Sequence, residues 1–93
     1  MIQVRQLSED EYEVRVRSVV ETVHRVILRA ADRARFTDRG ISAAQLIETS
    51  FQFLLERELN TSILAAFELP VIGRYFPEYE REIGARLRAS DRP

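Results

Sequence analysis

The sequence predicts an α+β domain: a small N-terminal antiparallel hairpin or sheet packed with several short α-helices. An all-α bundle is the alternative. Three observations carry the α+β reading. Tyr12, Val14 and Val16 alternate with Glu13, Arg15 and Arg17, the period of two that marks a half-buried strand. Ser42 and Gln45 have capping-box spacing ahead of an apolar helical stripe. Pro70 and Pro77 stand where proline opens a helix.

Met1 to Asp10 begins with Ile2, Val4 and Gln6 on one side and Gln3 and Arg5 on the other, a short strand ended by the polar turn Ser8-Glu9-Asp10-Glu11. Residues 12–28 admit two readings. As a hairpin they continue the alternation through the β-branched run Thr22-Val23-His24-Arg25-Val26-Ile27. As a helix they place Val16, Val19, Val20, Val23, Val26, Ile27, Ala30 and Ala34 on one stripe. The hairpin needs a turn near residues 18–22, where no Gly, Asn or Pro is available. The helix has to accommodate six valines, each a few tenths of a kcal/mol worse than alanine.

Residues 30–36 form a short helix, ended by Asp38-Arg39-Gly40 with Gly40 as the left-handed cap. The helix over 42–58 buries Ala43, Leu46, Ile47, Phe51, Leu54 and Leu55, with Ser50 beside Phe51. Phe53 falls off this stripe and has to meet another element or a partner. Asn60-Thr61-Ser62 is a turn and a new cap, and helices follow over 62–67, 70–75 and 77–88. The inner face of the last helix is Phe76, Tyr79, Ile83 and Leu87, with Glu78 and Glu80 in its first turn, where they suit the helix dipole.

Composition bounds the function classes. The 93 residues make one domain, residues 1–93, with no room for a second core. There is no cysteine, which excludes disulfides, thiolate metal sites and cysteine nucleophiles, and favours the cytoplasm. No apolar run approaches a membrane span. All fourteen basic residues are arginine. They are spread along the chain and offset by acids to a net charge of −1, which fits compositional bias better than a dedicated phosphate-binding surface.

The aromatic-rich segment 44–82 supplies the most specific pattern. Ser50-Phe51-Gln52-Phe53-Leu54-Leu55-Glu56-Arg57-Glu58, Ser62-Ile63-Leu64, Phe67-Glu68-Leu69-Pro70-Val71-Ile72 and Arg74-Tyr75-Phe76-Pro77-Glu78-Tyr79 resemble a family of small uncharacterised bacterial proteins. The resemblance implies two strands over the segment similar to residues 12–28, then a helical C-terminal block. It therefore favours the hairpin. In the family a Gly-rich turn joins these strands, whereas this chain has Val19-Val20 there. The resemblance implies no activity.

Candidate chemistry is sparse. His24 is the only histidine and has no partner at the spacing a general base or metal site requires, so it reads as a partly buried structural residue. Glu9, Asp10, Glu11 and Glu13 lack the spacing of a calcium loop and read as a solvated turn. Ser42 and Ser62 are explained by capping, and no glycine loop cradles phosphate. These features predict a non-enzymatic protein without cofactor, metal or evident small-molecule substrate, acting as a protein-interaction or accessory subunit or a homodimer. Its interface residues would be Phe53, Leu59 and Phe67, which exceed what one short helix face buries. The alternative is nucleic-acid binding by an arginine-rich ribbon of Arg15, Arg17, Arg25 and Arg29, which share a face if the hairpin link has odd length.

Overall fold

The alternating N-terminal segment folds as three strands. β1 (Ile2–Gln6), β2 (Glu11–Val16) and β3 (Thr22–Ile27) form an antiparallel meander. The computed structural model describes residues 1–36 and 41–90. Within them a fourth strand, β4 (Ala66–Glu68), adds parallel to β3, giving the mixed sheet order β1-β2-β3-β4. The domain is therefore α+β, and the all-α alternative is excluded.

Val16 stands opposite Thr22 and Val14 opposite His24, so even-numbered residues of β2 and β3 share the inner face. Tyr12, Val14, Val16, His24 and Val26 are buried there, and odd-numbered residues carry the charges outward. Glycine is dispensable in the link 17–21 because this longer loop does not require the tight two-residue turn. The link is fastened by Glu21, which accepts from Arg17 at 2.9 Å and Arg15 at 3.1 Å. Asn60 Nδ2 also donates to Val20 O at 2.7 Å.

Helix α1 (Ala30–Phe36) buries no residue fully and meets α4 through Phe36, whose ring lies edge-on to Tyr79 at 5.5 Å, and through Arg35, which donates to Glu80 at 3.0 Å. Helix α2 (Ala43–Leu55) begins where Ser42, at φ −67° and ψ 152°, accepts a hydrogen bond from the Gln45 N–H at 3.1 Å. The predicted cap is therefore present. The predicted left-handed cap at Gly40 lies outside the described residues. The helix stops at Leu55, short of Glu58, because the Arg57 and Glu58 N–H groups both turn back to Leu54 O at 2.9 Å.

The predicted helix over 62–67 is absent. A 3-10 turn at Asn60–Ser62 leads instead into β4. A single turn of helix is marginal by itself, whereas pairing with β3 satisfies backbone groups at an open edge. The Arg25 N–H donates to Ala65 O at 2.8 Å. The predicted helix over 70–75 resolves into a 3-10 turn at Leu69–Val71, with Pro70 in its first positions, followed by α3 (Ile72–Tyr75). Pro77 sits in the turn before α4 (Tyr79–Ser90), which buries Tyr79, Ile83 and Leu87 one turn apart.

Helix α2 packs on the sheet against β1, and α4 packs against α2. Leu46, Ile47, Phe51 and Leu54 join Val14, Val16 and Val26 in one core. Between the two helices the Ser50 hydroxyl donates to Leu46 O at 2.8 Å and lies 2.7 Å from the Tyr79 hydroxyl. Since the Ser50 proton is committed to Leu46, Tyr79 is the donor in that pair.

Burial pushes the Tyr79 phenol well above its ordinary value; the Ser50 hydrogen bond opposes this and the Glu80 carboxylate adds to it. An unfolded phenol loses its proton near pH 10, whereas the folded one retains it. The unfolded state then binds fewer protons, so stability is full below about pH 10 and falls as pH rises further. No lysine titrates in that range. Thermal melts between pH 8 and 11 should show this fall, and Tyr79→Phe should flatten it while costing about 1 kcal/mol at neutral pH.

Candidate protein-interaction groove

Phe53, one of the three predicted interface residues, is wholly buried, which corrects its assignment to a partner surface. Phe53 stands seven residues after Leu46, at the border of the buried stripe, and meets Tyr79 of α4 at 5.4 Å and Phe76, just after α3, at 5.8 Å. Arg57 closes the site, its guanidinium carbon 3.6 Å from the Phe53 ring centroid. Arg57 also donates to Phe53 O at 3.1 Å, to Glu82 at 2.9 Å and to Glu78 at 3.4 Å. Arg86 extends the cluster to Glu56 at 2.6 Å and Glu82 at 3.0 Å. The hydrogen bond from Arg86 is the largest effect holding the Glu56 carboxyl below the usual range. The fork thus caps α2 and ties it to α4. Arg57→Ala should cost about 1–3 kcal/mol in urea denaturation. Arg57→Lys should recover little of it, because a point charge cannot replace the planar fork.

Leu59 is 72% exposed, and Phe67 is half-buried with its ring 6.0 Å from Phe51. Phe67 forms one wall of an open apolar groove of about 270 Å³. The floor is Leu54, Ile63 and Ile72; the walls are Leu64, Phe67, Val71, Tyr75 and Phe76. Glu58 and Ser62 supply its polar groups. Leu64 and Tyr75 project as exposed large side chains. Of the apolar surplus expected from the sequence, Phe53, Leu59 and Phe67, only Phe67 lines this groove. The groove itself was not visible in the sequence, because a helix over 62–67 distributes its side chains differently from an extended chain.

One polar network holds that chain extended. His24, only 2% exposed, has Nδ1 at 2.7 Å from Leu64 O and Nε2 at 2.9 Å from Thr22 Oγ1. A carbonyl only accepts, so Nδ1 carries the proton. Nε2 then accepts from the Thr22 hydroxyl, and Thr22 Oγ1 accepts from Asn60 Nδ2 at 2.9 Å. Every member is satisfied by a neutral imidazole, and the ring also packs on Phe51 at 5.4 Å. His24 is buried more deeply than the sequence suggested, and its contacts are structural. His24→Ala should destabilise the fold by about 2–4 kcal/mol. Hydrogen exchange should show the loss of protection concentrated at the Arg25 amide, which is bonded to Ala65.

The odd-length link places the four predicted nucleic-acid contacts on or beside the outer face of the sheet. Arg15 and Arg25 lie on that face, and Arg17 and Arg29 stand just beyond the strand ends. All four are engaged. Arg15 approaches Glu13 at 3.7 Å and shares Glu21 with Arg17. Arg25 lies 3.7 Å from Glu11, and Arg29 pairs with Glu68. Arg5 adds a pair to Glu13 at 3.5 Å. Hydrogen bonding from Arg17 is the main effect holding the Glu21 carboxyl below the ordinary range. Phosphate binding here would have to displace these carboxylates, which weighs against the ribbon as a nucleic-acid surface.

Among the described residues no group of three His, Asp or Glu side chains is placed to hold a metal, and no helix is long and apolar enough to cross a membrane. Comparison with protein-family models, characterised proteins and solved structures finds no match.

Proposed function

We propose that the protein is a non-enzymatic cytoplasmic interaction subunit whose groove holds an apolar side chain of a partner polypeptide. The observation that carries this reading is the groove's chemistry: apolar walls with one carboxylate, Glu58, and one hydroxyl, Ser62. Its volume of about 270 Å³ falls below the roughly 300–1,000 Å³ typical of sites for drug-sized ligands. It suits one or two large side chains. Glu58 favours a partner with a basic residue beside that anchor, and none of the described ion pairs uses Glu58. Exposed Leu64 and Tyr75 fit the lip of such a pocket, since aromatic anchors dominate small interfaces.

Selection of displayed random peptides on the full folded chain tests this. Enriched peptides should carry a large apolar residue next to Arg or Lys. Tyr75→Ala should weaken them about thirtyfold, as loss of a hot-spot side chain does. Glu58→Arg should shift the selected flanking charge to acidic. Peptides that bind equally to both variants, or no enrichment at all, would overturn the reading.

A further inference from the structure

β1 is a terminal strand of the sheet, and its ladder with β2 fixes what its open edge displays. Met1 and Arg17 exchange both backbone bonds, at 3.0 and 2.9 Å, and the Leu7 N–H reaches Glu11 O at 2.8 Å. Hydrogen-bonded pairs alternate along an antiparallel ladder, so Gln3 and Arg5 also turn their backbone groups toward β2. Ile2, Val4 and Gln6 therefore point their N–H and C=O groups outward. Among the described residues no backbone bond is made to those groups.

Edge strands are normally protected by charge, proline or a bulge. β1 carries one charge, Arg5, has no proline, and runs in unbroken register. We propose that β1 pairs antiparallel with the β1 of a second copy, about a two-fold axis through Val4, joining the two sheets. Self-complementarity of residues 1–7 supports this occupant. In the register centred on Val4, Ile2 faces the partner's Gln6 and Val4 faces its own counterpart. Every outward N–H and C=O then finds a partner. On the outer face Gln3 meets Arg5, and Met1, 75% exposed, meets Leu7, 39% exposed, at both ends of the seam. Sliding the centre to Arg5 sets like charges opposite each other and leaves Ile2 unpaired. Sliding it to Gln3 leaves Gln6 unpaired. A one-residue slip turns outward groups of one strand against inward groups of the other. The isologous seam is separate from the groove and does not depend on the function proposed for it.

Sedimentation equilibrium of the full chain tests the proposal through the exposed position Gln3. A reversible dimer is expected. Gln3→Glu forms two new pairs with Arg5 across the seam and should tighten it about fivefold or more. Gln3→Arg creates two like-charge pairs and should weaken it by a similar factor. Val4→Pro removes an outward N–H without touching the β1–β2 ladder, and should give a monomer with unchanged circular dichroism. A monomer at every concentration up to about millimolar, or a dimer indifferent to both Gln3 substitutions, would overturn the proposal. The Gln3 pair decides the matter even if Val4→Pro unfolds.

Discussion

Helix α2 buries large apolar side chains over a wide arc, and the rest of the domain is arranged to cover all of it. Leu46, Ile47, Phe51, Phe53 and Leu54 all lie in one core, and Phe53, at one border of the arc, packs against Tyr79 of α4. Leaving any one of these in water forfeits about 1.5–3 kcal/mol, a large share of the margin available to a chain of this size. The sheet therefore cannot stand as the sole partner of α2. α4 supplies Tyr79, whose hydroxyl reaches Ser50, and the Arg57 fork closes the outer end over the Phe53 ring.

The second constraint is polar. Thr22 and His24, neighbours on β3, meet Asn60 and Leu64, about forty residues later, where the segment after α2 returns to the sheet. A buried network stabilises only when each member is satisfied, and here a single tautomer satisfies all of it. The consequence is mechanical. Leu64 is held by its carbonyl, the chain enters β4 extended, and Ile63, Leu64 and Phe67 come to line the groove. The groove thus follows from backbone pairing as much as from apolar composition.

Charge is distributed by the same logic. On the outer sheet surface Arg5, Arg15, Arg17, Arg25 and Arg29 stand among Glu11, Glu13, Glu21 and Glu68, so little uncompensated field remains. Surface pairs of this kind add little stability. The groove and the β1 edge carry less charge, with one ionised side chain each, Glu58 and Arg5. These features differ in kind: one presents apolar side chains, the other backbone donors and acceptors.

Periodicity and capping residues were enough to locate β1, α1, α2 and α4, because these signals act between residues one to four positions apart; over residues 12–28 they fitted strand and helix alike, and the pairing of β2 with β3 settled the hairpin. The alternation of Tyr12, Val14 and Val16 set the buried face, and Ser42 set the start of α2 to within one residue. Phe53 was expected off the stripe, yet it borders it seven residues after Leu46, and whether α4 or another protein covered it was not written in its neighbourhood. β4 was missed for the same reason. Ser62 to Phe67 has local preferences compatible with helix, and the bonds that keep the chain extended come from His24 and Arg25, about forty residues earlier. The parity of the link 17–21 likewise decided that the arginines share a face, and only the register showed glutamates between them. Short-range propensity therefore selected the elements, whereas pairing over long sequence separation selected which residues form the core, the groove and the open edge.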